Sequence, residues 1–299
     1  MRLSIWPGLD QPWADVLDLA RYADREGWHT LYVEDHFIGH PAPAEREPLL
    51  EATATLSALA VATERIRLGT LVLSVTYRHP AVIANWAATL DHVSNGRLTL
   101  GLGAGWQQSE HTAYGLPLGP PGERVDRFVE GLQVVRGLLE TERTTVAGRY
   151  YQLRDAVSEP KPVQAKVPIL VGAKQDRMLG VVARYADAWN MWSTPDTLAE
   201  RGRVLDAHCE RIGRDPSTLA RSTQALLRIT DDVAEAERFV AENAPRPCLA
   251  GTTDVVADAI VSYAAVGADE FIVVDAGLGT GAERADTLSA LRAAVLGRS

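Results

Sequence analysis

Four short stretches of this sequence gather side chains and glycines able to do chemistry. Glu34-Asp35-His36-Phe37 sets an acid beside an imidazole, an arrangement that can orient a histidine for proton transfer. Gly101-Leu102-Gly103-Ala104-Gly105-Trp106 alternates glycines, which let a flat ligand or a phosphate come close to the backbone. It ends on a large aromatic that could wall such a ligand. Glu110 and His111 follow as titratable groups of a kind that is usually solvated. Val171-Gly172-Ala173-Lys174 leads to Arg177, and two cations beside the N–H groups of a helix start make an anion site. Taken by itself, Ser74-Val75-Thr76-Tyr77-Arg78-His79-Pro80 reads as an ordinary strand-to-helix turn. Pro80 suits a first helical turn, where its missing N–H costs nothing.

The elements that must position these stretches follow from hydrophobic period. Short β-branched runs alternate with helical patterns over all 299 residues, the mark of a parallel α/β fold. Strands are expected over 3–6, 31–33, 66–73, 98–102, 169–171, 188–191, 223–229 and 271–274. Helices are expected over 13–23 (closing at Gly27), 51–63, 81–93, 124–140, 178–186, 198–212, 255–263 and 284–296. Thr252 or Thr253 can cap the penultimate helix, and Gly267 can end it. A hairpin around Gly148-Arg149 occupies 144–153, before a connection containing Pro160, Pro162 and Pro168. These units predict one domain over 1–299, a (β/α)8 TIM barrel with insertion segments. The four stretches then fall at C-terminal strand ends, the face that carries the sites of such barrels. A doubly wound open sheet is the alternative. Against it, Trp6-Pro7-Gly8-Leu9 stands where a G-x-G-x-x-G turn would be needed.

Composition removes several classes of function. The formal charge of −9 repels phosphate backbones, so no nucleic-acid partner is expected. Apolar runs fall far short of the roughly 20 residues a bilayer span needs, so no membrane role is expected. Residues 1–6 read directly into a strand, so no leader is expected. The two cysteines, Cys209 and Cys248, suggest neither a disulfide scaffold nor a zinc site, and a reducing cytoplasm fits. Lysine occurs only at 161, 166 and 174, which singles out Lys174.

In order along nearly the whole chain, a set of segments resembles the bacterial-luciferase-like superfamily, in its branch that uses the 8-hydroxy-5-deazaflavin coenzyme, F420. The set comprises Glu34-Asp35-His36-Phe37, Arg67-Leu68-Gly69-Thr70, Arg78-His79-Pro80, Gly96-Arg97-Leu98 through Gly105-Trp106, Gly148-Arg149-Tyr150-Tyr151 and Pro160-Lys161-Pro162. It continues with Val171-Gly172-Ala173, Tyr185-Ala186-Asp187-Ala188-Trp189-Asn190 and Gly267-Ala268-Asp269-Glu270-Phe271. The resemblance implies a flavin-like ring across the barrel mouth and a non-prolyl cis peptide at Ser74–Val75 behind it. Asp35, Ser74, Val75 and Thr76 would contact the ring region, with Asn190 a further contact. Ala104 and Gly105 would lie along the coenzyme's chain beside Trp106, and Gly172 and Ala173 would receive its phosphate near Lys174 and Arg177. The implied reaction is hydride transfer to or from a small organic substrate, and the implied assembly is a homodimer. His36 would exchange the proton, because moving a hydride to or from a carbonyl carbon changes the charge on its oxygen. In the family's sugar-phosphate dehydrogenases a glutamate follows the glycine pair; here Trp106 stands there, and Glu110 is the substitute partner for His36.

Three other readings compete. One is an FMN-dependent monooxygenase on the same barrel. Another is a metal-dependent hydrolase using Asp35, His36, His79 and His111, although no H-x-H or H-E-x-x-H spacing is present and no metal is expected. The third is a non-catalytic cofactor-binding barrel. Substrate choice is assigned to loops 38–48, 107–125 and 191–197, where Trp106, Tyr114 and Trp192 favour apolar or planar molecules.

Overall fold

The computed structural model describes residues 1–39 and 49–298. In chain order the strands are β1 (Arg2–Trp6), β2 (Thr30–Val33), β3 (Arg67–Thr70), β4 (Leu73–Ser74), β5 (Leu98–Gly103), β6 (Thr144–Ala147) and β7 (Gln152–Ala156). They continue with β8 (Ile169–Gly172), β9 (Ala188–Trp192), β10 (Ala220–Ile229), β11 (Cys248–Gly251) and β12 (Glu270–Val274). The helices are α1 (Trp13–Glu26), α2 (Ala52–Ala62), α3 (Pro80–Val93), α4 (Gln108–Ala113) and α5 (Pro121–Glu140). After them come α6 (Asp176–Tyr185), α7 (Pro195–Arg211), α8 (Val233–Asn243), α9 (Thr253–Ala265) and α10 (Gly281–Leu296).

Among the described residues, eight parallel strands close a ring in the order β1, β2, β3, β5, β8, β9, β10, β12 and back to β1. This is the expected TIM barrel. Its interior is filled by Tyr32, Leu71, Leu170 and Ile272, with Trp6, Val72 and Ala188 packed beside them. Gly69 makes room for the Tyr32 ring, since a Cβ there would lie 2.5 Å from Tyr32 Cε1. A larger apolar layer, including Ile5, Leu31, Leu68, Leu100 and Val171, seals the barrel against its helices. Burying such side chains supplies about 1.5–3 kcal/mol each and dominates the stability of the ring.

The expected elements recur with shifted ends. α5 and α7 begin earlier than their apolar period because Pro121 and Pro195 occupy their first turns. The hairpin is β6 with β7, antiparallel and three residues longer than expected at the far strand. Three elements were not foreseen. α4 lies in the expected loop 107–125, and α8 and β11 lie between β10 and α9. α8 buries none of its residues, and β11 is a four-residue Cys-Leu-Ala-Gly run alongside the end of β10, so neither carries a strong periodic signal. Most of the expected loop 38–48 lies outside the described residues.

The third strand corrects another expectation. It is broken after Thr70, and the non-prolyl cis peptide is Leu71–Val72, not Ser74–Val75. Ser74 belongs instead to a regular ladder: β4 pairs with Leu102 and Gly103, and the Val75 N–H donates to the Gly103 carbonyl at 3.1 Å. The chain bulges into space left by glycines. A Cβ on Gly101 would sit 1.8 Å from the Thr70 carbonyl oxygen, and one on Gly103 would sit 2.6 Å from Val72 Cγ2. Those two glycines therefore admit the protein's own bulge, where the sequence suggested a ligand.

This packing predicts that Gly101→Ala lowers the unfolding free energy by about 3 kcal/mol in denaturant titration. Gly213→Ala, at a left-handed φ of +71° with open space around it, should cost about 1 kcal/mol of backbone strain. Equal losses at both positions would contradict the steric account.

Candidate active site

The residues following β2 enter a polar cluster at the barrel mouth. His36 Nδ1 lies 3.0 Å from Glu110 Oε2, and the Tyr77 hydroxyl donates to the same oxygen. The other carboxylate oxygen accepts the backbone N–H groups of Phe37 at 2.5 Å and Ile38 at 2.9 Å. Glu110 itself is fully buried. Burial raises the pKa of its carboxyl, but the hydrogen bonds from His36, Tyr77 and Ile38 prevail and hold it down at about 2. The Tyr77 phenol is pushed upward by burial and by that charge. A permanent carboxylate thus faces His36 Nδ1, which fixes a hydrogen on that nitrogen and leaves Nε2 as the exchanging atom.

Asp35, also buried, accepts the Ser74 N–H at 2.9 Å and a double contact from Arg78 Nη1 at 2.9 and 2.7 Å. Arg78 also pairs with Glu51, which caps α2. Burial presses the Asp35 carboxyl upward against the pull of Arg78. The pair locks the β2 end onto β4, so His36 and Ser74 share one rim. From Ser74 a line of contacts runs inward: Ser74 Oγ to Thr76 Oγ1 at 2.6 Å, Thr76 Oγ1 to His111 Nε2 at 2.7 Å, and His111 Nδ1 to the Gln107 carbonyl at 2.7 Å. Glu110, expected as the partner of His36, and His111, of a type usually solvated, are both buried.

Next along the rim, Gly105 adopts φ +80° and packs on those hydroxyls. Its carbonyl accepts from Arg124 Nη1 at 2.9 Å, while the buried Arg124 Nε has no partner among the described residues. Arg124 belongs to the first turn of α5. Neither α5 nor α6 has a side-chain cap at its N-terminus, and Arg177 joins the two starts through the Gly122 carbonyl at 2.9 Å and an ion pair with Asp126. Lys174 is exposed beside them. Two uncapped helix starts, an orphaned guanidinium N–H and a lysine suit the anionic chain of a coenzyme laid along Ala104 and Gly105.

Other expected contacts turn elsewhere. The Val75 side chain is in the core against Gly131 of α5, leaving only its backbone near the rim. The Ala173 N–H donates to the Asn190 carbonyl at 3.0 Å, and the Ala173 carbonyl accepts from Trp189 Nε1 at 2.8 Å, so its N–H is not free for a phosphate. Gly172 is in β8, where Val72 lies 3.4 Å from the position of a Cβ. Asn190 points into the barrel and spends its amide on Ser222 at 3.0 Å and on a reciprocal pair with Gln224 at 2.8 and 3.2 Å. Trp106 keeps its place on the rim, 56% exposed, its ring edge-on to His36 at 5.6 Å. Trp6 and Trp192 form a second aromatic wall, 5.7 Å apart, where the half-buried Glu34 carboxylate accepts from Trp6 Nε1. Burial raises the Glu34 carboxyl above its ordinary range.

Sequence reasoning missed Tyr77, Arg78 and Arg124, since each reaches the rim from an element other than the strand end it serves. The hydrolase reading loses its geometry. Asp35 pairs with Arg78, His36 with Glu110 and His111 with Thr76, while His79 meets the Tyr151 ring. No group of three or more potential metal ligands forms among the described residues.

A family model described as luciferase-like monooxygenase matches residues 1–246. An F420-dependent glucose-6-phosphate dehydrogenase of Beutenbergia cavernae is 34% identical over 212 residues, 69% of this chain and 60% of that one. A solved F420-dependent secondary alcohol dehydrogenase, in complex with an F420–acetone adduct, superposes with a TM-score of 0.87 at 22% identity over 98% of each chain. A monooxygenase from Streptomyces bottropensis superposes at 0.80 and 22% identity, over 100% of this chain and 99% of that one. At these identities the two structures speak for the fold.

The Glu110 cluster makes stability depend on pH. A carboxyl held at about 2, below its ordinary 4.5, stabilises the fold above pH 4.5, and that contribution is lost as pH falls towards 2. Glu110→Gln should therefore be less stable than wild type by on the order of 2 kcal/mol at pH 6, with the gap closing by about pH 2–3. A gap independent of pH in denaturant titrations would contradict the ionised carboxylate.

Proposed function

Because this chain belongs to the luciferase-like monooxygenase family, we propose that it is an oxidoreductase using coenzyme F420 to move a hydride to or from a small organic substrate at the barrel mouth. The observation carrying this reading is His36, its Nδ1 tied to an ionised carboxylate and its Nε2 left for proton exchange. When bound, the coenzyme would supply the ring carbon that takes or gives hydride. His36 then accepts the substrate hydroxyl proton at Nε2 as an alcohol is oxidised, or returns it as a carbonyl is reduced, and Glu110 stabilises the imidazolium.

The residues fit such a coenzyme. Asp35, Ser74 and Thr76 line the ring end, while Ala104, Gly105 and Trp106 flank the chain. Lys174, Arg124 and Arg177 surround the anionic end, where the orphaned Arg124 Nε is one unfilled donor. The substrate side is aromatic, with Trp106, Trp6 and Trp192 around His36 and Glu34, which favours small, uncharged alcohols or carbonyls over sugar phosphates. The second reading is an FMN-dependent monooxygenase, favoured by the description of the matching family model.

A homodimer is part of this proposal. The outer surfaces of α2 and α3 adjoin through the Trp86–Ser57 contact at 3.2 Å and carry no charged residue from Ala52 to Ala62 or from Pro80 to Leu90. Val61, Val82 and Val93 are exposed there at 78%, 58% and 48%. A bare apolar face of this kind suits a second copy. Sedimentation should give a dimer for wild type and a monomer for the double variant Val61→Lys, Val82→Lys; an unchanged dimer would place the interface elsewhere.

Fluorescence titration of the purified protein tests the coenzyme, with F420 expected to bind and FMN not. Tight FMN binding without F420 binding would overturn the proposal in favour of the monooxygenase. With a turned-over substrate in hand, His36→Ala should lower kcat by about 10²–10⁴-fold while leaving F420 affinity nearly unchanged. Undiminished turnover would remove His36 from the reaction.

A further inference from the structure

The mouth holds a second histidine that the hydride reaction does not use. His111 is 1% exposed, yet it is joined to the rim by the hydroxyl groups of Thr76 and Ser74. The Gln107 carbonyl beside His111 Nδ1 can only accept, so Nδ1 carries a hydrogen whether the ring is neutral or cationic. That leaves two states for the line. With His111 neutral, Thr76 donates to Nε2, Ser74 donates to Thr76, and Ser74 Oγ turns lone pairs to the rim. With His111 protonated every donor reverses, and Ser74 presents its hydrogen outward. The weak Thr76 N–H contact to Ser74 Oγ at 3.4 Å is compatible with both. No side chain covers the two hydroxyls from the position of Gly105, where a Cβ would lie 2.7 Å from Thr76 Oγ1 and 2.9 Å from Ser74 Oγ.

We propose that Ser74, Thr76 and His111 form a proton relay through which buried His111 exchanges a proton with the coenzyme ring as that ring gains or loses a hydride. The inference rests on the coenzyme reading above. In alcohol oxidation the substrate C–H bond breaks, its hydrogen leaves with the bonding pair for the ring, and the hydroxyl proton goes to His36 Nε2. A bound ring that took up this hydride would carry the added negative charge that draws a proton to the rim. Protonated His111 gives its Nε2 hydrogen to Thr76 Oγ1, Thr76 passes its own to Ser74 Oγ, and Ser74 passes its own to a ring nitrogen or oxygen. The relay ends with neutral His111, and carbonyl reduction runs every transfer backwards.

The surroundings suit a group that changes charge. The Tyr77 ring faces His111 at 5.0 Å, and Glu110 adjoins it in α4 with its carboxylate turned to His36, Phe37, Ile38 and Tyr77. Asp35 holds the Ser74 N–H and is itself paired with Arg78, while Arg124 reaches the Gly105 carbonyl from α5. Two carboxylates and two guanidiniums therefore flank the relay.

Nitrogen NMR of ¹⁵N-histidine-labelled protein, with oxidised and with reduced coenzyme F420 at one pH, tests the relay without turnover. The His111 Nε2 signal should move from the protonated position in the oxidised complex towards the bare-nitrogen position in the reduced one. Thr76→Val and Ser74→Ala each cut the line at a different link, and both should abolish that movement. A His111 signal identical in the two complexes, or one that still moves in both variants, overturns the relay while leaving the coenzyme reading intact when His36 responds to coenzyme. If no histidine responds to added coenzyme, the coenzyme reading falls and takes the relay with it.

Discussion

Four hydrogen-bond donors converge on the Glu110 carboxylate: an imidazole, a phenol and two successive backbone N–H groups. Two of these belong to the segment after β2, one is His36 itself, and one, Tyr77, comes from the turn between β4 and α3. A buried carboxylate this well satisfied stays ionised, and its charge then fixes the hydrogen on His36 Nδ1. Without it the segment 36–38 would lose its tether to α4, and His36 would lose both its orientation and the charge that stabilises its cation. The rest of the rim depends on this one knot, because Asp35 next door ties the same segment to Ser74 and Arg78.

Barrel geometry explains why the knot can form. Parallel strands place all their C-terminal ends on one face, so residues distant in sequence meet there. The glycines of β3 and β5 tune that face. Gly69 lets Tyr32 fill the interior, Gly101 and Gly103 accept the Leu71–Val72 bulge, and Gly105 brings backbone onto the hydroxyls of Ser74 and Thr76. At the other end of the rim the uncapped starts of α5 and α6 meet through Arg177 and Gly122. The result is a polar floor, an aromatic side and a cationic end, an order that suits a flat heterocycle with an anionic chain.

Much of this could be read from the chain alone. The eight barrel strands, the hairpin near Gly148 and most helices follow from hydrophobic period and from glycine and proline placement, which are local signals. α8 and β11 escaped because one buries nothing and the other is four residues without β-branching. The motif Glu34-Asp35-His36 pointed correctly to the mouth, and Glu110 was named as the neighbour that His36 needs. What the residues could not disclose was direction. Asn190 turns into the barrel and Val75 into the core, while the Ala173 N–H is spent on β9. The cis peptide falls three residues before its expected place because ladder pairing resumes at Leu73. Arg124 and Tyr77 depend on helix docking, which no local pattern encodes.

The most direct test is a crystal structure of the protein soaked with coenzyme F420. The account predicts the ring across the mouth beside Ser74, its anionic end at the junction of α5 and α6, and its open face towards His36. A substrate held there would place its reacting carbon about 3–3.5 Å from the ring. A coenzyme bound with its ring away from His36, or with its anionic end remote from Arg124 and Lys174, would contradict it.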